Sequence, residues 1–144
     1  QLARQGQPLE ETDHVSLEAI AEDAWDMVET AQANLVVETD RELVADPDRL
    51  QRLFENLFRN AVEHGGSDVT VTVGALPEGD GFYVADDGRG IPAADREQVF
   101  ESGYSTAADG TGFGLAIVEQ IVAAHEWTIE LADAQDGTRF EILT

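Results

Sequence analysis

Residues 69–84 constrain the fold more than any other stretch. Val69, Val71 and Val73 alternate with other residues, Pro77-Glu78-Gly79-Asp80-Gly81 can reverse the chain, and Phe82 and Val84 resume the alternation. A period of two puts successive side chains on opposite faces, so this stretch reads as a hairpin-like strand pair with one apolar face that a second layer must cover. The sequence also supplies the cover. From Ser16, a plausible N-cap, Leu17, Ile20, Ala21, Ala24, Met27 and Val28 recur at helical spacing. Asp46-Pro47 opens a second helix with Pro at the first helical position; Leu50, Leu53, Phe54, Leu57, Ala61 and Val62 carry it, and Gly65-Gly66 stop it. Ala93–Phe100 reads as a short helix, and Gly112–His125 as a longer one with Leu115, Val118, Ile121 and Val122 on one face. Leu35-Val36-Val37, Leu43-Val44-Ala45, Thr128–Leu131 and Arg139–Leu143 read as further strands. The expected α/β architecture is one sheet covered on one face by helices. Residues 1–13, with Gly6, Pro8 and Glu10-Glu11-Thr12-Asp13, read as the end of a preceding helix and a connector, which leaves 14–144 as the domain.

Charge limits what such a domain can bind. Thirty Asp and Glu stand against eight Arg and no Lys, a formal charge of −22. No basic patch for nucleic acid or an anionic membrane can be assembled from that composition. With 42% hydrophobic residues the chain is not a disordered acidic tail, and its 144 residues fit a single core. The absence of Cys excludes disulfides, thiol catalysis and Cys-ligated zinc, and no apolar run approaches the roughly 20 residues that cross a bilayer. Gln1 opens the sequence without an initiator Met or a signal-peptide layout, as expected of a fragment of a longer chain. Repulsion at this charge is relieved where salt is molar and the Debye length is about 3 Å, so a high-salt cytosol is the expected setting; the alternative is an acidic protein at ordinary salt.

Three polar or glycine-rich features interrupt the apolar scaffold. On the second helix, Asn56, Asn60 and Glu63 fall within about 60° of arc beside the apolar stripe. Two carboxamides one turn apart can present oxygens to a hard cation such as Mg²⁺; two solvated Asn residues would look the same. Val84-Ala85-Asp86-Asp87-Gly88-Arg89-Gly90 follows a strand, where Asp86 can accept a hydrogen bond from an exocyclic amine and the glycines let backbone approach a flat ring, although a tight turn uses the same glycines. Gly110-Thr111-Gly112-Phe113-Gly114-Leu115 runs into a helix, whose N-terminal N–H groups and dipole suit an anion. It is not a Walker A loop, because Lys is missing.

Taken in order, the Asn-x-x-x-Asn helix, Asp-x-Gly-x-Gly after a strand, Phe100 at a helix end and Gly-Thr-Gly-Phe-Gly-Leu before another helix resemble the N, G1, F and G2 boxes of the ATP-binding catalytic domain of sensor histidine kinases. Gly137-Thr138 before a strand is similar to the last glycine box of that family, and the resemblance spans about residues 15–143. It implies the Bergerat ATP-binding fold, a two-layer sandwich with a mixed, mainly antiparallel sheet. It also implies ATP and Mg²⁺ as ligands. Asn60 would be the main Mg²⁺ ligand with Asn56 assisting, and Asp86 would receive the adenine amino group beside Gly88 and Gly90. Gly110, Thr111, Gly112, Phe113, Gly114 and Leu115 would form the hinge and phosphate cradle, Thr138 would lie near the adenine end, and Glu101–Asp109 would be a short lid without Arg or Lys. The implied activity is transfer of the γ-phosphoryl group to a histidine in an upstream dimerisation domain, with residues 1–6 as the tail of its helical hairpin. A response regulator would be addressed through the full-length protein, the domain would be cytoplasmic without touching the membrane, and the parent could be membrane-anchored.

The chain departs from the family pattern at two places. The family commonly carries Lys three residues after the second Asn and an aromatic next, where this chain has Glu63 and His64; phosphate charge would then fall to Mg²⁺, the helix dipole at Gly112 and Arg59. Glu126 stands where the family usually ends a helix with Gly after His125. Gyrase-type and Hsp90-type members place a general-base Glu four residues before the metal Asn. Here that position is Asn56, which cannot take a proton, and Glu55 lies about 100° round the helix. Hydrolysis is therefore not the expected main reaction. His14, His64 and His125 lack the acid-and-Pro context of a phosphoacceptor and read respectively as a loop His, a helix-end His and a His interacting with a helix dipole. A nucleotide-binding regulatory module without phosphotransfer is the second reading, motivated by Glu63 and the Lys-free lid.

Overall fold

The computed structural model describes residues 12–28, 32–65, 68–77, 81–88, 115–132 and 137–144. In chain order they form β1 (Asp13–Ser16), α1 (Leu17–Asp26), β2 (Asn34–Val37), β3 (Glu42–Ala45), α2 (Pro47–Gly65), β4 (Thr70–Ala75), β5 (Gly81–Asp86), α3 (Leu115–Ala124), β6 (Thr128–Ala132) and β7 (Thr138–Leu143). The expected helix at 93–100 lies outside the described residues.

Each helix start has a local cause. Ser16 is extended and its Oγ accepts a hydrogen bond from the Ala19 N–H at 3.2 Å, the N-cap geometry that starts α1. Asp46 does the same for α2: its Oδ1 accepts from the N–H groups of Asp48 and Arg49 at 3.1 and 3.3 Å, and Pro47 supplies a preset φ at the first helical position. α3 ends on a Schellman motif, with Glu126 N–H donating to Ala123 O and Trp127 N–H to Val122 O, both at 2.9 Å. Glu126 therefore takes the left-handed conformation, φ 63°, that glycine would take at less cost.

The main sheet has five strands in the order β2-β4-β5-β7-β6, with β2 parallel to β4 and every other pair antiparallel. β1 and β3 pair separately as an antiparallel ribbon, which corrects the expectation of a single sheet. The parallel partnership of β2 and β4 needs a crossover, and β3 with α2 forms it. Short runs such as Leu35-Val36-Val37 and Leu43-Val44-Ala45 look alike in sequence, and only contacts distant along the chain decide which sheet each joins. β1 has no counterpart among the expected elements, because four residues with Val15 as the only aliphatic carry too little period.

Val71, Val73, Phe82, Val84, Phe140 and Ile142 alternate onto one sheet face and are buried beneath the helices. α2 lies over them, with Leu50, Leu53, Phe54, Leu57 and Phe58 buried. The Phe54 ring stands 5.6 Å from Phe82 and 5.5 Å from Phe58, and Phe58 meets Trp25 of α1 edge-on at 5.2 Å. The opposite sheet face is polar. There the Tyr83 hydroxyl donates to Glu38 Oε1 at 3.0 Å and the Arg139 guanidinium lies 4.0 Å above the Tyr83 ring. Burial and the Glu38 carboxylate raise the Tyr83 pKa. A Cβ at Gly74 would fall onto the Tyr83 ring and push it out of this cluster.

Candidate functional site

The α2 stripe that packs on the sheet fixes the rotation of the helix, and with it the two Asn residues. Asn60 is carried into the interior, 7% exposed, although the sequence places it beside the stripe. Among the described residues its Oδ1 is the one buried side-chain polar atom without a hydrogen-bond partner. An unmatched buried acceptor costs about 1–3 kcal/mol, so its retention points to a partner that binds there. Asn56, one turn earlier and half-buried, donates from Nδ2 to Arg52 O at 2.8 Å. That carbonyl can receive only the amide N–H₂, so the Asn56 oxygen is turned the other way. Residues four apart lie side by side on a helix, about 5–6 Å between Cβ atoms, which suits two oxygens shared by one cation. Among the described residues no group of three His, Asp or Glu could hold a metal, so a cation here would depend on carboxamide oxygens and on oxygens that a ligand brings. Glu63, the acidic substitute on the same side of the helix, is exposed.

The second part of the site forms where β5 and β7 meet. Asp86 ends β5 opposite Thr138 of β7, which is buried. The Asp86 Oδ1 accepts from the Gly88 N–H at 2.9 Å. Burial raises the Asp86 pKa above its ordinary value and the charge of Asp87 adds to this, while hydrogen bonds from the backbone of Gly88 and Thr138 oppose it. A half-buried acidic acceptor held by backbone donors is a ready counterpart for a ligand N–H. Asp87 points elsewhere: its Oδ1 accepts from the Thr70 N–H at 2.8 Å and ties the loop to the start of β4. Gly137, φ 79°, brings β7 so close that a Cβ would overlap the Asp86 carbonyl oxygen. The sequence marks Gly137 as part of a glycine box, but nothing in it shows that this glycine sets the approach to Asp86.

The described structure thus gathers Asp86, Gly88 and Thr138 at one sheet end and sets Asn56 and Asn60 on α2. Leu115 is a core residue, 1% exposed, at the start of α3. Gly90, Gly110, Thr111, Gly112, Phe113 and Gly114, together with the expected lid at 101–109, lie outside the described residues. His14 is exposed on β1 rather than in a loop, and the side chain of His64 is not described. His125 follows α3; its Nε2 accepts from the Asp46 N–H at 3.0 Å and its Nδ1 stands 2.9 Å from Ile121 O. The sequence reads it as a His interacting with a helix dipole; the structure places it just past the C-terminal end of α3, where burial lowers its pKa and favours the neutral ring.

Residues 45–144 match the family model described as histidine kinase-, DNA gyrase B-, and HSP90-like ATPase, and the chain belongs to that family. Its fold is that of histidine kinase catalytic domains. That of histidine kinase ThkA superposes with a TM-score of 0.74 at 20% identity, over 92% of this chain and 94% of the other. The ATP-binding domain of PrrB from Mycobacterium tuberculosis gives 0.67 at 26% identity, over 94% and 96%. Among curated relatives, sensor histidine kinase ZraS of Klebsiella oxytoca is 44% identical over 93 residues, 62% of this chain and 20% of the relative. ZraS of Escherichia coli strain K12 is 41% identical over 98 residues, 67% and 21%. The chain spans about a fifth of the length of these relatives. Among the described residues no helix is long and apolar enough to cross a membrane.

Proposed function

We propose that this chain is the catalytic domain of a sensor histidine kinase: it binds Mg-ATP and presents the γ-phosphoryl group to a histidine on a separate dimerisation domain. The carrying observation is the buried, unpartnered Oδ1 of Asn60 one turn beyond Asn56. That orphaned oxygen fits a hard cation, so Asn60 and Asn56 would hold Mg²⁺, which when bound neutralises phosphate charge. Asp86 accepts the exocyclic amine of adenine, with Gly88 and Thr138 fixing the carboxylate, and Gly90 shapes the pocket edge. Gly110, Thr111, Gly112, Phe113 and Gly114 cradle the phosphates ahead of Leu115. In the transfer itself an imidazole nitrogen forms a bond to the γ-phosphorus as the bond to the ADP oxygen breaks.

Family membership and the names of the relatives support this reading, and the absence of a base supports transfer over hydrolysis. Asn56 cannot accept a proton where a hydrolase needs a carboxylate. His125 is disfavoured as the acceptor because both its ring nitrogens are engaged, and His14 and His64 lack the acid-and-Pro sequence context of a phosphoacceptor. The partners proposed are thus the upstream dimerisation domain, of which residues 1–6 are the tail, and a response regulator reached through the full-length protein. The domain is read as 14–144, cytoplasmic, with a parent that can be membrane-anchored, and the Lys-free acidic composition as adaptation to molar salt.

Calorimetric titration with Mg-ATP in molar KCl tests binding, and labelled ATP with a chain extended upstream through the helical hairpin tests transfer. Binding together with phosphohistidine is expected. Binding without phosphohistidine would favour the regulatory module that Glu63 motivates, and no binding would overturn both. Asn60→Ala is expected to abolish Mg²⁺-dependent affinity; full retention would show that the metal lies elsewhere.

A further inference from the structure

A single histidine ties the helix that carries the two carboxamides, α2, to α3. α2 carries Asn56 and Asn60, ten and fourteen residues past its cap Asp46, about 15 and 21 Å along the axis. α3 begins at Leu115, directly after the glycine run proposed to cradle phosphate, and its far end closes on His125. The Asp46 side chain is occupied in capping α2, and its backbone N–H donates to His125 Nε2 at 3.0 Å. A backbone N–H can only donate, so Nε2 carries no proton, and Nδ1–H then donates to Ile121 O at 2.9 Å. The ring stacks on Trp127 with centroids 4.1 Å apart and planes 24° apart, and Trp127 in turn meets Phe82 of β5 edge-on at 6.2 Å.

We infer that His125 is a positioning residue for nucleotide binding, a tautomer-locked staple between the C-terminal end of α3 and the N-cap of α2. The inference rests on the proposed ATP site. Only the neutral Nδ1–H tautomer satisfies both bonds. The imidazolium would set an Nε2–H donor against the Asp46 N–H donor, and the staple would open. Slippage at this joint moves α2, with its two carboxamides, relative to α3. Burial lowers the His125 pKa most and Arg49 adds to this, while the hydrogen bond to Ile121 O and the carboxylate of Asp46 oppose it; the net shift is downward and favours the neutral ring.

The test uses this chain, Mg-ADP as ligand, and two variants. His125→Phe keeps a ring over Trp127 without either hydrogen bond; His125→Gln keeps an acceptor for the Asp46 N–H and cannot titrate. Nitrogen-15 NMR of the wild type at pH 8 should show Nδ1 protonated and Nε2 bare, and the opposite tautomer would overturn the inference. Calorimetry should show wild-type affinity falling, between pH 8 and pH 5, about tenfold more than that of H125Q, because Asp86 and the nucleotide titrate alike in both and the ratio isolates His125. H125F should bind about tenfold more weakly at pH 8, with its circular dichroism unchanged. If H125F does not fold, the comparison of H125Q with wild type decides: identical pH profiles overturn the inference. Absence of Mg-ADP binding by the wild type would overturn the ATP reading and this inference together, whereas binding indifferent to pH and to both variants would overturn this one alone.

Discussion

Burial raises the Asp86 carboxyl above its ordinary 3.8, and the sign of that shift has a consequence for stability. A folded-state pKa above the unfolded one means that the native state binds more protons. The stabilising contribution is complete below 3.8 and is lost as the pH rises through the raised value, so ionised Asp86 weakens the empty domain at neutral pH. Asp86→Asn is therefore expected to raise the melting temperature at pH 7, to have a smaller effect near pH 3.5, and to reduce discrimination of ATP from GTP. Thermal unfolding at both pH values checks the first part, and competition titration checks the second; a variant less stable at pH 7 than wild type would contradict the sign. Activity held at a cost in stability is common where a charge must be kept for a ligand. Asp86 was legible as a candidate from its place after a strand and before two glycines. Its burial was not, because that depends on Thr138 and Gly137, some fifty residues further along the chain.

Helix ends make sharper predictions than helix interiors. Glu126 holds a left-handed backbone at the C-terminal end of α3 and adds a negative charge where the dipole is already negative. Glu126→Gly removes a conformational penalty of about 1–2 kcal/mol against a glycine entropy cost of about 0.5–1, so a net stabilisation of about 0.5–1 kcal/mol is expected in denaturant unfolding. Ser16→Ala deletes the Oγ that caps α1 and should cost about 1 kcal/mol. These features were largely readable: Ser16 as cap, Asp46-Pro47 as a start, and the poor fit of Glu126 after α3 all follow from local chemistry. Pairing was less so. Leu35-Val37 and Leu43-Ala45 carry the same short apolar signal, yet one joins the five-stranded sheet in parallel and the other forms a ribbon with β1. Asn60 shows the same limit at the site, since helical angle puts it beside the stripe and its burial follows from tertiary packing that the angle does not carry.

For the whole molecule, charge and binding meet in one place. A domain of net charge −22 without Lys is expected to gain stability as KCl rises from 0.1 to 3 M, read as an increasing melting temperature. A flat or falling curve would remove the reading of adaptation to high salt. The same repulsion bears on a polyanionic nucleotide, so affinity measured in dilute buffer should understate affinity at molar salt. The orphaned oxygen of Asn60 carries this further. A ligand that satisfies this acceptor, as proposed for Mg-nucleotide, would be a component of the folding equilibrium: at a hundred times its Kd it would add about 2.7 kcal/mol. The proposed ligand would thereby slow proteolysis through global unfolding, and protection should grow with ligand concentration in step with the melting temperature.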